Sequence, residues 1–182
     1  MRCLFWLALF SMGFIHSQSP NTNTKETQKT IHIVSYNTIF SKQYKGFKIK
    51  YSEFTDTEED FIIPAVFSFN NYQLKSNILK SKGYKSSNQF LLGAGLDGFI
   101  KFYKGFYVGI GVNIPFGYET TRNLSNKQQS KFLIGFESKQ GIRLIPWKEL
   151  GIVLGINYKQ YFINSNVLNR EFNLELELGI NF

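Results

Sequence analysis

Few residues in this sequence have the types and spacing that chemistry requires. The hexapeptide GAGLDG, Gly93 to Gly98, matches the dinucleotide-binding pattern GxGxxG. That pattern holds a pyrophosphate only between a strand and a helix, whose N-terminus supplies hydrogen bonds to the phosphates. The residues that follow, FIKFYKGFYVGIG, alternate as strand and turn do, so these glycines are expected to ease strand packing. The histidines are His16, within an apolar leader, and His32. An activated nucleophile needs a base within hydrogen-bond reach, and no residue set around His32 supplies one. Cys3 is the single cysteine, so a metal would have to rely on carboxylates. The acidic run DTEED (56–60) is expected to be a solvated loop. No enzyme activity, cofactor or metal is expected.

The remaining charged residues gain meaning from the segments that place them. From residue 31 onward apolar side chains recur at every second position, the period of a half-buried strand. In QFLLGAGLDGFIKF, Phe90, Leu92, Ala94, Leu96, Gly98, Ile100 and Phe102 share one face; Asp97, Phe99 and Lys101 share the other with Leu91, Gly93 and Gly95. In FYVGIGVNIPFGY the face from Phe106 to Tyr118 is apolar, and the opposite one carries Tyr107, Gly109, Gly111, Asn113, Pro115 and Gly117. Phe132, Ile134, Phe136, Ile142 and Leu144 oppose Glu137, Lys139 and Arg143. Leu150, Ile152, Leu154, Ile156, Tyr158 and Phe162 oppose Asn157 and Lys159. The last residues alternate to the end, with Glu175 and Glu177 between apolar neighbours.

Counting back gives strands near 45–54, 61–69, 72–80, 88–102, 106–118, 130–144, 150–162 and 170–182, with a hairpin at Asn70-Asn71. IHIVSYNTIF (31–40) also reads as a strand; it either extends the first, crosses the barrel mouth or displaces it. Short turns fall at Asn70-Asn71, 103–105 and 145–149. Longer connections fall at 55–60, 81–87, 119–129 and 163–169. That asymmetry is the habit of outer-membrane barrels, with short turns on the periplasmic side. The fold expected is all-β: an eight-stranded antiparallel up-and-down transmembrane β-barrel. Tyr103, Tyr118, Trp147, Tyr161 and Phe162, near strand ends, suit interfacial aromatic girdles.

Alternation does not itself say which face is outside, but volume does. An eight-stranded barrel has room inside for packed side chains or one small ligand, too little for continuous ladders of Phe, Leu and Ile. The apolar faces therefore point to lipid. The interior then holds Asp97, Glu137, Glu175 and Glu177 beside Lys101, Lys139, Arg143 and Lys159, a balanced set that must pair where burial makes isolated charge costly. This network is expected to fill and rigidify the lumen. The alternative is a narrow channel for ions or small solutes.

The N-terminus, MRCLFWLALFSMGFIHSQS, has one charge, an apolar run and a small residue before Gln18. It reads as a signal peptide over 1–17 cleaved after Ser17, since the run is shorter than the ~20 residues of a membrane-spanning helix. Cys3 leaves with it. Residues 18–30 read as a polar arm and 31–182 as the barrel. The formal charge is +8, but the basic residues form no dense cluster along the chain, so nucleic acid is not an expected partner.

The ladder Leu174, Leu176, Leu178, Ile180 and Phe182 resembles the C-terminal signal of outer-membrane barrels, an aromatic final residue preceded by alternate apolar ones. The stretch from Phe61 to Phe182, with FLLGAGLDGFIKFYKGFYVGIGV and GIRLIPWKELGIVLGINY, resembles the small outer-membrane β-barrel family of Gram-negative bacteria and is similar to the membrane domain of OmpA-like proteins. The resemblance implies outer-membrane location, contact with its lipid and recognition by the barrel assembly machinery; it names no external partner. No peptidoglycan-binding domain follows Phe182, so cell-wall anchoring is not expected. A structural or surface-interaction role is.

Overall fold

The computed structural model of the chain describes residues 30–55, 61–146 and 150–182. Its elements are β1 (Thr30–Phe40), β2 (Tyr44–Thr55), β3 (Phe61–Ile62), β4 (Ala65–Leu74), α1 (Ser76–Ser81), β5 (Tyr84–Tyr103), β6 (Phe106–Asn123), β7 (Gln128–Leu144), β8 (Gly151–Ile163) and β9 (Arg170–Asn181). Apart from β3, each strand pairs antiparallel with the next, β2 with β4. The dipeptide β3 pairs with β5 at Phe61–Ile100, in register with Ala65–Leu96 of β4, so β3 and β4 form one stave.

Closure comes from β1 against β9, from Ile33–Asn181 to Phe40–Leu174. Beyond that ladder, the backbone N–H of His32 donates to the Phe182 carbonyl (2.9 Å) and the N–H of Phe182 donates to His32 (3.0 Å). The eight staves thus make a closed barrel with no free edge, which hydrocarbon would not tolerate. Both described termini lie at one end, the terminal end, with the turn at 104–105, the end of β7 at Leu144 and the start of β8 at Gly151. The opposite, loop end carries 41–43, α1 and its flanks, 124–127 and 164–169.

The strand count of eight holds, but two of its early members differ from the sequence reading. IHIVSYNTIF is the first stave and 45–54 lies in the second. The hairpin at Asn70-Asn71 does not exist: both asparagines continue β4, Asn70 opposite Lys48 and Leu91, Asn71 opposite Phe47 and Phe90. Strand pairing on both sides overrides the turn preference of asparagine. The second half of the expected 72–80 strand is the short helix α1. Thr55 ends β2 opposite Thr30, so β2 leaves the sheet at the terminal end and not at the loop end, as the expected loop after it required. The long loop expected at 119–129 is mostly sheet, since β6 runs to Asn123 and β7 starts at Gln128. Asn126, with φ 60°, turns the chain there.

The expected signal peptide and arm, the acidic run 56–60 and Trp147 lie outside the described residues. Tyr103 and Tyr118 are exposed on the outer wall, as a girdle requires. Tyr161 is not; it is fully buried inside the barrel.

Candidate functional site

The interior is layered. Toward the terminal end Ile31, Ile33, Phe54, Ile62, Phe99, Tyr107, Ile145 and Val153 form a buried apolar cluster. Toward the loop end Tyr44, Tyr72, Leu91, Leu133 and Tyr161 form another, over which Leu79 of α1 and Val167 and Leu168 of the 164–169 loop close. Ionised side chains occupy the level between. Alternation produces this arrangement: each strand sends one residue in two inward, and the chain places apolar residues near strand ends and charges near the middle.

Glu137 and Glu175 face Lys48 and Lys159. Lys48 bonds Glu137 and stands 4.0 Å from Glu175; Lys159 is 2.5 Å from Glu175 and 3.4 Å from Glu137. Glu177 takes Lys50 at 2.9 Å and bonds Arg143. Asp97 and Lys139 pair at 2.7 Å. Gly111 makes room for that last pair, because a Cβ there would stand 2.2 Å from Asp97 Oδ1 and 2.7 Å from Lys139 Cε.

The belt is tied to both apolar layers. The Arg143 guanidinium lies 5.2 Å from the Phe54 ring centre and 5.5 Å from that of Phe99; its Nε and Nη1 have no hydrogen-bond partner. The Lys159 ammonium lies 5.3 and 5.7 Å from the rings of Tyr72 and Tyr161 and donates to Tyr72 Oη at 3.1 Å. Cation–π contacts of this kind strengthen where water is excluded.

Seven of the eight expected lumen charges meet in this belt. Lys101 does not: it is exposed, because β5 runs on past the lumen toward the turn at 104–105, and inward parity has no meaning beyond the rim. Sequence reasoning missed Lys48 and Lys50, each 2% exposed. Their signal was present, since Phe47, Ile49 and Tyr51 alternate with Lys48, Lys50 and Ser52. With these additions the belt's carboxylates, Asp97, Glu137, Glu175 and Glu177, face Lys48, Lys50, Lys139, Arg143 and Lys159. GAGLDG lies within β5 and is followed by strand and turn, without the helix that a dinucleotide site needs. His32 sits at the terminal end, its Nδ1 2.9 Å from Tyr51 Oη and its ring beside Phe182. Among the described residues no cluster of histidine, cysteine and acid side chains is suited to a metal.

The outer wall is the reverse of the lumen. Val34, Ile49, Phe67, Leu92, Ile110, Ile134, Ile156, Leu176 and Leu178 are among its exposed apolar residues, on every stave. No protein-family model matches the sequence, and no curated protein matches it. Solved structures do. The attachment invasion locus protein Ail of Yersinia pestis matches with a TM-score of 0.52 at 12% identity, over 84% of this chain and 97% of that one. Neisserial surface protein A matches with a TM-score of 0.51 at 13% identity, over 84% of this chain and 94% of that one. This chain has the fold of an outer-membrane β-barrel.

The loop end of this barrel is strongly basic. Lys42 and Lys45 flank the first turn, and Lys75, Lys80, Lys82 and Lys85 surround α1. Arg122, Lys127 and Lys131 lie about the β6–β7 turn, and Arg170 opens β9. Its acids, Glu119 and Glu171, are buried and engaged. Glu119 accepts from Ser87, Gln89 and Ser165, and Glu171 accepts from Ser41 at 2.7 Å. Among the described residues this rim therefore exposes cations and no carboxylate. Arg170 also covers the Phe162 and Phe172 rings at 5.1 and 4.7 Å, where the apolar wall meets the rim. A groove of about 690 Å³ lies beside the first turn, lined by Lys42, Lys45 and Lys75 above and Phe40, Phe172 and Leu174 below.

Proposed function

We propose that this chain is a non-catalytic integral protein of the Gram-negative outer membrane, with a plugged lumen and a loop end that binds polyanionic surfaces. The observation that carries the binding role is the rim of lysines and arginines with no exposed carboxylate. A phosphate- or sulfate-bearing partner meets uniform positive potential there, which raises its rate of encounter and its affinity at low salt. The groove beside Lys42, Lys45 and Lys75 suits an amphiphile, with an anionic head group above and acyl chain below. The two apolar layers and the ionic belt between them support a plug and disfavour the narrow channel. Delivery follows the sequence expectations: a leader removed near Ser17, then recognition of Leu174, Leu176, Leu178, Ile180 and Phe182 by the barrel assembly machinery.

Location and closure are tested by gel mobility of the detergent-extracted outer-membrane fraction, with and without boiling. The folded barrel runs with a mobility that shifts on heating; a soluble protein would overturn the assignment. Binding is tested with the barrel in vesicles of neutral lipid, using dextran sulfate as probe and neutral dextran as control. Dextran sulfate is retained at low salt and released as salt rises. Lys80→Glu, Lys82→Glu and Lys85→Glu together weaken the retention. Equal retention of neutral dextran, or a variant that binds as the parent does, would falsify the rim assignment.

A further inference from the structure

The apolar ladder of the outer wall breaks at one place on β7 and β8. Ser138 and Gln140 follow Phe136 and precede Ile142; Gln160 lies between Tyr158 and Phe162. Across the strands Ser138 stands opposite Gln160, and Gln140 opposite Tyr158, so the four make one patch. Its neighbours on β6 are apolar: Val112 faces Ser138 and Ile110, 59% exposed, faces Gln140. The patch is bounded along both strands by apolar side chains, which places it within the lipid-facing belt and away from the rims. A groove of about 350 Å³ crosses the wall here, lined by Leu96, Gly98, Ile110 and Val112 together with these residues. The side-chain polar groups of Ser138, Gln140, Tyr158 and Gln160 make no hydrogen bond to other described residues.

A carboxamide facing hydrocarbon has no water to bond, and leaving it unmet costs several kcal/mol. A glutamine side chain carries both donors and an acceptor. The same patch on a second copy, related by a two-fold axis, therefore meets every need of the first. Apolar contact alone does not drive association in lipid, since lipid tails are equally apolar. Hydrogen bonds and close packing do, and the groove left by Gly98 and Ser138 provides the close approach.

We propose that the Ser138–Gln140–Tyr158–Gln160 patch is a homodimer interface in the plane of the membrane, its occupant a second copy of this chain. The inference rests on the membrane reading above. It is tested in Cys3→Ser chain carrying Ser138→Cys, with the glutamines intact, reconstituted in lipid vesicles and exposed to mild oxidant. Ile49→Cys, on the opposite wall in β2, is the control. Ser138→Cys gives a disulfide-linked dimer and Ile49→Cys does not. Adding Gln140→Leu and Gln160→Leu lowers the linked fraction roughly tenfold, the effect of losing about 1.4 kcal/mol of association. The heat shift is read on the same samples, so a chain that is not a closed barrel is recognised separately from a barrel that does not dimerise. Equal linkage of both cysteines, no linkage in a folded barrel, or linkage unchanged by the leucines overturns the interface. In native membranes, a linked product of another mass assigns the patch to a different protein and overturns the second copy as occupant.

Discussion

Asp97 and Lys139 form the belt's most separable pair, since each has one close ionic partner while Glu137, Glu175 and Glu177 each have two. Removing one partner leaves a buried charge unmet, which costs about 3–5 kcal/mol, whereas replacing both by apolar groups of similar size is close to neutral. Asp97→Leu alone and Lys139→Met alone should therefore each lower the urea midpoint of the barrel in vesicles, and the double variant should recover most of the loss. Additive losses would show that the two charges do not depend on each other. Gly111→Val makes a related test: its side chain would occupy the space of the pair, so the midpoint falls although no charge is removed. Most of the belt was legible in the sequence. Glu137, Lys139 and Arg143 stood out because Phe132, Ile134 and Phe136 mark the face opposite them so strongly. Lys48 and Lys50 sit in a strand whose outward residues are Lys45, Phe47, Ile49, Tyr51, Glu53 and Thr55, a weaker contrast. Lys101 has inward parity, but parity carries no information about where a lumen ends.

Strands in this barrel were easiest to recognise where both faces are pure. From Phe106 to Tyr118 every second residue is bulky and apolar, with Gly109, Gly111 and Gly117 among those between, and β6 contains the whole of it. β4 was divided because two adjacent asparagines carry strong local turn chemistry, while the pairing that defeats it lies in β2 and β5, far away in sequence. Asn70 is 0% exposed and faces the lumen. Proline at Asn70 separates the two readings. Flanked by β2 and β5, it removes a ladder hydrogen bond from an interior strand, where proline is not tolerated, so the heat-shifted folded form should be lost. In a turn it would be accommodated. The same element-level logic sets a depth scale on β9. Leu176→Arg, well inside the lipid-facing ladder, should cost about 2–4 kcal/mol of folding in vesicles, and Phe182→Arg at the terminal rim about 0–1 kcal/mol. Equal costs at the two positions would mean that β9 does not cross the apolar layer.

Across the whole molecule, the proposed plug is redundant. A solute entering from the loop end meets Leu79, Val167 and Leu168, then the ring cluster of Tyr44, Tyr72 and Tyr161, then the ion-paired belt, then Phe54, Phe99 and Tyr107. On the proposed plug, in a barrel whose interior only just accommodates side chains, either ring cluster is enough to block ions, and the charged belt passes them once both clusters are opened. Removing one level must therefore leave the barrier intact. The barrel in a planar bilayer should carry no steady current, and neither should the variant with alanine at Tyr44, Tyr72 and Tyr161, because the terminal-end cluster remains. Alanine added at Phe54 and Phe99 also frees the Arg143 guanidinium from its rings and opens the second level. Only this combined variant should leak ions, with cation or anion preference set by the belt, where Lys48, Lys50, Lys139, Arg143 and Lys159 outnumber the carboxylates. Current through the unaltered barrel would overturn the plug and restore the channel reading. Silence in the combined variant, with the heat shift retained, would locate the barrier in the ion pairs themselves.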